Sequence, residues 1–397
     1  MYNALPLCLL ALSISIVPSV ALPDLGVRNW RFGLPTFRES HPNEVEKRDT
    51  INVINHNLDG SPFLWLPQDE YSGPTFFDRW DFFTDPDPTS GTVHYVDRDT
   101  AVANGFVYIE NDGTVIMKAD DTTALPMGVN RSSVRISSKT LYTTGLFILD
   151  INRAPWGCAI WPAFWTTGLT WPANGEIDVL EGVHANQYNQ IAFHTNPGCL
   201  LDPSASFTGT IPTDANGQNH TNCDANLDSN SGCDTVEWSR ASYGPFFEAQ
   251  GGGILAMKWD ENDISIWSFY RAAIPTDVAA GTPNPSLWGK PSARLMNTMC
   301  NITDFFRNHT IVFDITFCGV WAGNSYATSG CPGTCPERLM DPTNFVNATW
   351  SINSLKVYRK QPLSGNSTSA ADLDPIHAVS KAEFVLPIVA AMIYHLW

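Results

Sequence analysis

The segment Asn174-Gly175-Glu176-Ile177-Asp178-Val179-Leu180-Glu181-Gly182 sets three carboxylates among branched apolar residues. On a helix, at about 100° per residue, Glu176 and Glu181 would point about 140° apart and could not act on one substrate. On a strand, Glu176 and Asp178 share a face at period two, and Glu181 arrives one residue out of phase. A bulge near Val179 or Leu180 is therefore expected, returning Glu181 to the face of the other two acids. Crowding like charges on a short strand is costly, because neighbouring carboxylates raise one another's pKa. Hydrolysis of a glycosidic bond has a use for the arrangement. One carboxylate must stay ionised to attack the anomeric carbon, a second must hold a proton for the leaving oxygen, and a third can tune both. With the phase restored, the outer acids stand about 13 Å apart at Cα, at about 3.3 Å per residue. Sheet curvature and two long side chains would have to bring the carboxyl groups to about 5 to 5.5 Å for a retaining mechanism. The bland alternative is a solvated edge strand with chance acidic alternation, and the aromatic surroundings count against it.

Those surroundings are Trp161-Pro162-Ala163-Phe164-Trp165 and Trp171-Pro172 before the acids, and Phe193-His194-Thr195 after them. Further away stand Tyr71-Ser72-Gly73, Phe76-Phe77-Asp78, Trp80-Asp81-Phe82-Phe83, Ser133-Val134-Arg135-Ile136 and Phe317-Cys318-Gly319-Val320-Trp321-Ala322-Gly323. Together with the E-x-D-x-x-E core, this set resembles glycoside hydrolase family 16 over about residues 62 to 360. Within that family it is most similar to the secreted fungal endo-1,3(4)-β-glucanases of the laminarinase type. The resemblance implies Glu176 as nucleophile, Asp178 as its assistant and Glu181 as acid/base. It also implies a concave jelly-roll β-sandwich of the concanavalin A-like kind, β-1,3- or mixed-linkage glucan as substrate, and retention of configuration.

Sugar rings present apolar C–H faces, so an aromatic plane in a groove binds them at little entropic cost. Trp165 and Trp171 precede the acidic strand closely enough to line the same cleft, and the loop setting of Trp171 makes a core role less natural. Trp321 resembles the family's distal subsite tryptophan. Trp161 reads as core. Arg135 is a candidate to donate paired hydrogen bonds to sugar hydroxyls or to hold Glu176 ionised, against the plainer reading of a solvated strand arginine. His194, on the strand expected beside the acidic one, is a candidate substrate contact, against that of a satisfied structural histidine.

The elements that must position these residues are short. Runs such as Thr92 to Val96, Phe106 to Ile109, Val115 to Lys118, Val134 to Ile136 and Gly145 to Ile151 are separated by Gly, Asn, Asp and Pro turns. The pattern continues through Asn189 to His194, Gly253 to Trp259, Ile264 to Tyr270, Ile311 to Phe317 and Ser351 to Tyr358. Many short strands without long helices between them indicate an all-β sandwich or jelly roll. In a chain of 397 residues a single catalytic domain is expected over residues 62–360.

The flanks read differently. Residues 1–21 have an apolar middle ending in Ser19-Val20-Ala21, the layout of a signal peptide, although no Lys or Arg precedes it. Residues 22–61 read as a linker or pro-segment carrying a dibasic Lys47-Arg48, and 361–383 as a Ser/Thr/Gly/Ala-rich stalk. Residues 384–397 form an apolar tail too short to span a bilayer, in the layout of a GPI-attachment signal. Six glycosylation sequons begin at Asn130, Asn219, Asn301, Asn308, Asn347 and Asn366, in keeping with export and a location outside the cell.

A formal net charge of −17 argues against nucleic acid and anionic lipid as partners, whereas 14 tryptophans with 16% charged residues suit a neutral polysaccharide. A monomer without a cofactor or metal is expected. Of nine cysteines, Cys8 falls in the signal segment, and the remaining eight are an even count suited to disulfides. Cys331 and Cys335 are spaced too widely for the usual zinc pair and have no matching second pair. The run from Cys223 to Asn230 starts like a calcium loop but lacks its glycine and closing glutamate, so an acidic disulfide-bounded loop is favoured. No G-x-S-x-G elbow or phosphate-binding glycine loop is present. Two rival functions remain: a wall-remodelling transglycosylase, in which a second glucan replaces water, and a non-catalytic carbohydrate-binding wall protein.

Overall fold

The computed structural model describes residues 53–363, apart from 215, 228, 229 and 241. The expected signal segment, the lead up to residue 52 with Lys47-Arg48, and the stalk and tail from residue 364 onward with Asn366 lie outside the described residues.

Alternating apolar and polar residues build two facing sheets, as the expected jelly-roll sandwich requires. The inner sheet has seven strands in the spatial order Cys233–Val236, Gln190–His194, Glu176–Glu181, Ile160–Gly168, His309–Phe317, Arg135–Ser138 and Trp80–Phe82. Every neighbouring pair in it is antiparallel. The outer sheet follows the path Asn55–His56, Pro62–Tyr71, Thr349–Pro362, Gly145–Arg153, Gly253–Trp259, Asp263–Tyr270 and Ala293–Met296, with Val107–Ile109 and Val115–Lys118 branching from it. Asn55 and His56, which the sequence places in the lead segment, pair with Phe63 and Pro62 as its edge.

The core lies between the sheets. Phe164, Ile177, Val179, Leu180, Ile191, Phe193 and Phe313 from the inner sheet meet Phe147, Leu149, Leu255, Met257, Ile266 and Leu355 from the outer one. Burying each such side chain contributes about 1.5 to 3 kcal/mol. A second cluster, centred on Phe63, Trp65, Leu146, Ile148, Ile254, Ala256 and Tyr358, covers the far face of the outer sheet. Ile274, Val278 and Trp288 pack against it. With core on one side only, the inner sheet can carry polar groups on its other face.

All eight cysteines of the described residues are paired, as 158–331, 199–300, 223–233 and 318–335. Two of these bonds clamp the 331–335 segment to the ends of the strands Ile160–Gly168 and His309–Phe317. Trp321 emerges just beyond those ends.

Candidate active site

The acidic strand carries the bulge that its acid spacing calls for. Thr167 faces Glu176 and Trp165 faces Asp178, but the next in-phase residue, Ala163, faces Glu181. Two residues on one strand therefore oppose three on the other, and Val179 is the extra one. The neighbour on the opposite side repeats the step, with His194 facing Glu176, Ala192 facing Asp178 and Gln190 facing Glu181. Val179 and Leu180 are both fully buried in the core. Packing two consecutive apolar residues on one side is what returns Glu181 to the face of Glu176 and Asp178.

Burial and like charge raise the outer acids. Glu176 is pushed up to about 7, by burial first and then by Asp178. Its side chain keeps 15% exposure, so it sits deep in an open cleft. Glu181 is raised well above the ordinary range by the same two causes, although the Trp161 indole N–H donates to its Oε1 at 2.6 Å. Burial works against a charge on His194, yet the surrounding carboxylates, Asp178 above all, raise its pKa to about 10. The imidazolium Nε2 lies 3.2 Å from Asp178 Oδ2 and 3.9 Å from Glu176 Oε1.

The environment of the outer acids is unequal. Glu176 is eased toward ionisation by the His194 cation, the Trp171 side-chain N–H and the Arg135 charge. Glu181 has Trp161 and a more distant His194, and it suffers the charges of both other acids. Of the two, Glu181 therefore has the surroundings that favour a proton more.

His194 is aimed from behind. Its Nδ1 lies 3.0 Å from Asn230 Oδ1, which accepts the second imidazolium proton. Asn230 belongs to the loop closed by Cys223–Cys233, the acidic disulfide-bounded loop expected there. Gly232 in that loop has φ +65°, and a Cβ there would stand 2.8 Å from His194 Cε1 and Nδ1. Glu176, Asp178 and His194 offer ligand-type atoms within 4.8 Å of one another. A divalent cation would need the imidazole deprotonated, and the imidazolium itself already supplies a positive charge between these carboxylates.

The remaining candidates surround this cluster. Arg135 faces Asp314 across the sheet, its guanidinium 4.4 Å from the Phe83 ring centre and 5.0 Å from that of Trp165. Trp165 donates its indole N–H to Asp314 Oδ2 at 2.9 Å, and burial raises Asp314 to about 7 against the opposing Arg135 charge. Trp171 is 47% exposed and free to stack on a ligand. Trp321 meets Trp161 edge to face with ring centres 5.6 Å apart. Trp161 is core, as the sequence reads, and has a second role besides. It is buried, as a core residue should be, but its polar edge serves Glu181. Its place two residues before Ala163, which faces Glu181, brings it there, and that pairing exists only in the fold.

A family model, the XgeA-like catalytic GH16 domain, matches residues 80–358 of this chain. The chain is 42% identical over 295 residues to a probable glycosidase of Schizosaccharomyces pombe, covering 73% of this chain and 68% of that protein. It is 38% identical over 302 residues to a probable endo-1,3(4)-β-glucanase of Aspergillus fumigatus, covering 73% of this chain and 45% of that protein. It thus spans about half the length of several curated relatives that it matches. Among solved structures, laminarinase 16A from Phanerochaete chrysosporium, with β-glucans in its donor and acceptor sites, is 39% identical with a TM-score of 0.70. The match covers 74% of this chain and 99% of that one. An elongating family 16 β-1,3-glucosyltransferase is 38% identical with a TM-score of 0.69, covering 74% of this chain and all (100%) of that one.

Proposed function

The chain belongs to glycoside hydrolase family 16, and from that premise we propose that it hydrolyses β-1,3- or mixed-linkage β-1,3/1,4-glucan internally, with retention of configuration. Ionised Glu176 attacks C1 while Glu181 gives its proton to the departing glycosidic oxygen, leaving a covalent glycosyl-enzyme. Glu181, now ionised, takes a proton from water, which attacks C1 and releases Glu176. Asp178 holds the His194 cation beside Glu176 and so keeps the nucleophile ready. Trp165, Trp171 and Trp321 supply the planes on which glucose rings stack, and Arg135 braces Trp165.

The observation that carries this reading is the bulge at Val179, which aims three carboxylates at one face with the cation on the Glu176 side and the proton on the Glu181 side. Glu176→Gln and Glu181→Gln keep size and remove one role each. Each is expected to lower laminarin hydrolysis by several orders of magnitude with an unchanged thermal transition. Full activity in either purified variant would refute the assignment.

The similarity to an elongating glucosyltransferase favours one second reading, in which a glucan chain replaces water at the second step. Sizing the products from a laminarin oligomer separates the two, since oligosaccharides longer than the substrate accumulate only by transfer. We also propose that the protein is exported as a glycosylated monomer and carries its catalytic domain over residues 62–360 between a removed leader and an anchoring tail. Four disulfides and the exposed sequon residues Asn130, Asn219, Asn301 and Asn308 support export. Release of active enzyme from cells by a phosphatidylinositol-specific phospholipase would test the anchor.

A further inference from the structure

A bulge takes backbone groups out of the regular ladder, and in a buried strand they must find partners elsewhere. Here the groups are the Val179 carbonyl and the Glu181 N–H. One side chain serves both. Asn189 Oδ1 accepts from the Glu181 N–H at 2.8 Å, and Asn189 Nδ2 donates to the Val179 carbonyl at 2.7 Å. A planar amide with one acceptor and one donor reproduces what a peptide group of the neighbouring strand would have offered.

Asn189 is itself fixed. It has no solvent exposure. Its N–H donates to Ser242 Oγ at 3.1 Å and its carbonyl accepts from the Glu237 N–H at 2.9 Å. Ser242 Oγ in turn donates to the Ser239 carbonyl. The backbone that carries the amide is therefore held, and turning the amide away from the bulge would break both of its own buried hydrogen bonds.

From this geometry we infer that Asn189 is a positioning residue for Glu181, holding the backbone of the proton donor while leaving the nucleophile alone. The inference rests on the assignment of Glu181 as acid/base proposed above. Glu176 sits in regular register, facing Thr167 on one side and His194 on the other, with no contact to Asn189 among those that hold it. Loosening the bulge displaces the acid and spares the nucleophile. A role confined to fold stability would weaken both steps alike.

The test is to compare laminarin with an aryl laminaribioside whose leaving group is 2,4-dinitrophenolate. That anion departs without a proton, so its first-turnover burst reports attack by Glu176 alone, whereas laminarin needs the Glu181 proton. Asn189→Ala is expected to lower kcat/KM on laminarin on the order of 100-fold, the cost of misplacing a catalytic group by about 1 Å. The dinitrophenolate burst rate should change by less than about threefold. Asn189→Asp keeps the shape and the acceptor but loses the donor to Val179. It is expected to show the same selectivity with a loss of about tenfold on laminarin, and it carries the test if the alanine variant does not fold. Equal losses on both substrates, or full laminarin activity, would overturn the inference. Glu181→Gln, run in parallel, tests the underlying assignment separately. It should abolish laminarin turnover and keep the burst, and if it hydrolyses laminarin normally the acid assignment itself fails, whatever Asn189 does.

Discussion

His194 by its charge eases Glu176, the proposed nucleophile, toward ionisation. Its charge lies 3.9 Å from Glu176 Oε1, and no comparable ion pair reaches Glu181 among the described residues. An opposite charge at such range favours the ionised form of its neighbour. Replacing His194 with Gln removes that support, so the Glu176 pKa rises further from its present value of about 7. On the proposed mechanism Glu176 then stays protonated to a higher pH, and the acidic limb of kcat/KM moves upward. A shift of about one pH unit is expected, by the magnitude typical of one nearby charge. A pH profile on laminarin, from acid to mildly alkaline buffer, measures it. An unmoved acidic limb would show that burial, Asp178, Trp171 and Arg135 set Glu176 without His194.

Among the elements, the strand Gln190–His194 and the loop after it make the imidazolium a rigid part of the site. Asn230 Oδ1 accepts a hydrogen bond from the ring, Gly232 leaves room for it, and the Cys223–Cys233 bond closes the loop over a separation of ten residues. Closing a loop of that size stabilises a fold by about 2 to 3 kcal/mol through the entropy of the unfolded chain. The double variant Cys223→Ser with Cys233→Ser is expected to melt several degrees lower and also to lose laminarin activity below its melting range, because Asn230 no longer holds His194. Calorimetry with kinetics at a fixed low temperature checks both parts. A lowered transition with unchanged kcat/KM would confine the loop to a stabilising role. The acidic strand, by contrast, was legible from composition and phase: three acids that must share a face, with one residue too many between the last two, require a bulge where Val179 provides one. The strand Ile160–Gly168 beside it is not among the runs that the sequence marks as strands; it carries Pro162 at a central position, and only the pairing with His309–Phe317 and the acidic strand establishes it.

For the whole molecule, the seam between the two sheets holds a group that the proposed chemistry does not use. Glu237 follows the inner edge strand and accepts from Ser268 Oγ of the outer sheet through Oε1. Burial raises its pKa from 4.5 to about 7. A carboxyl group raised in the folded state gives stability that is fully present below its unfolded pKa and is lost as pH rises through the folded value. Glu237→Gln removes that loss. The variant is expected to match the native protein near pH 4 and to exceed its stability above pH 7, by a few kcal/mol at about 1.36 kcal/mol per pKa unit. Denaturant melts at the two pH values give the answer, and a difference independent of pH would mean that burial does not shift the Glu237 pKa between the unfolded and folded states. The identity of the acids, their spacing, the excess of tryptophan and the even cysteine count were all present in the linear chain, since they depend on residue type and on the twofold period of a strand. The cysteine partners, the polar edge of Trp161, the amide of Asn189 beneath the bulge and the inequality of Glu176 and Glu181 came only with the folded form. Each of these is a contact between segments distant in sequence or a consequence of burial, and neither distance through space nor exclusion of water is written in the order of residues.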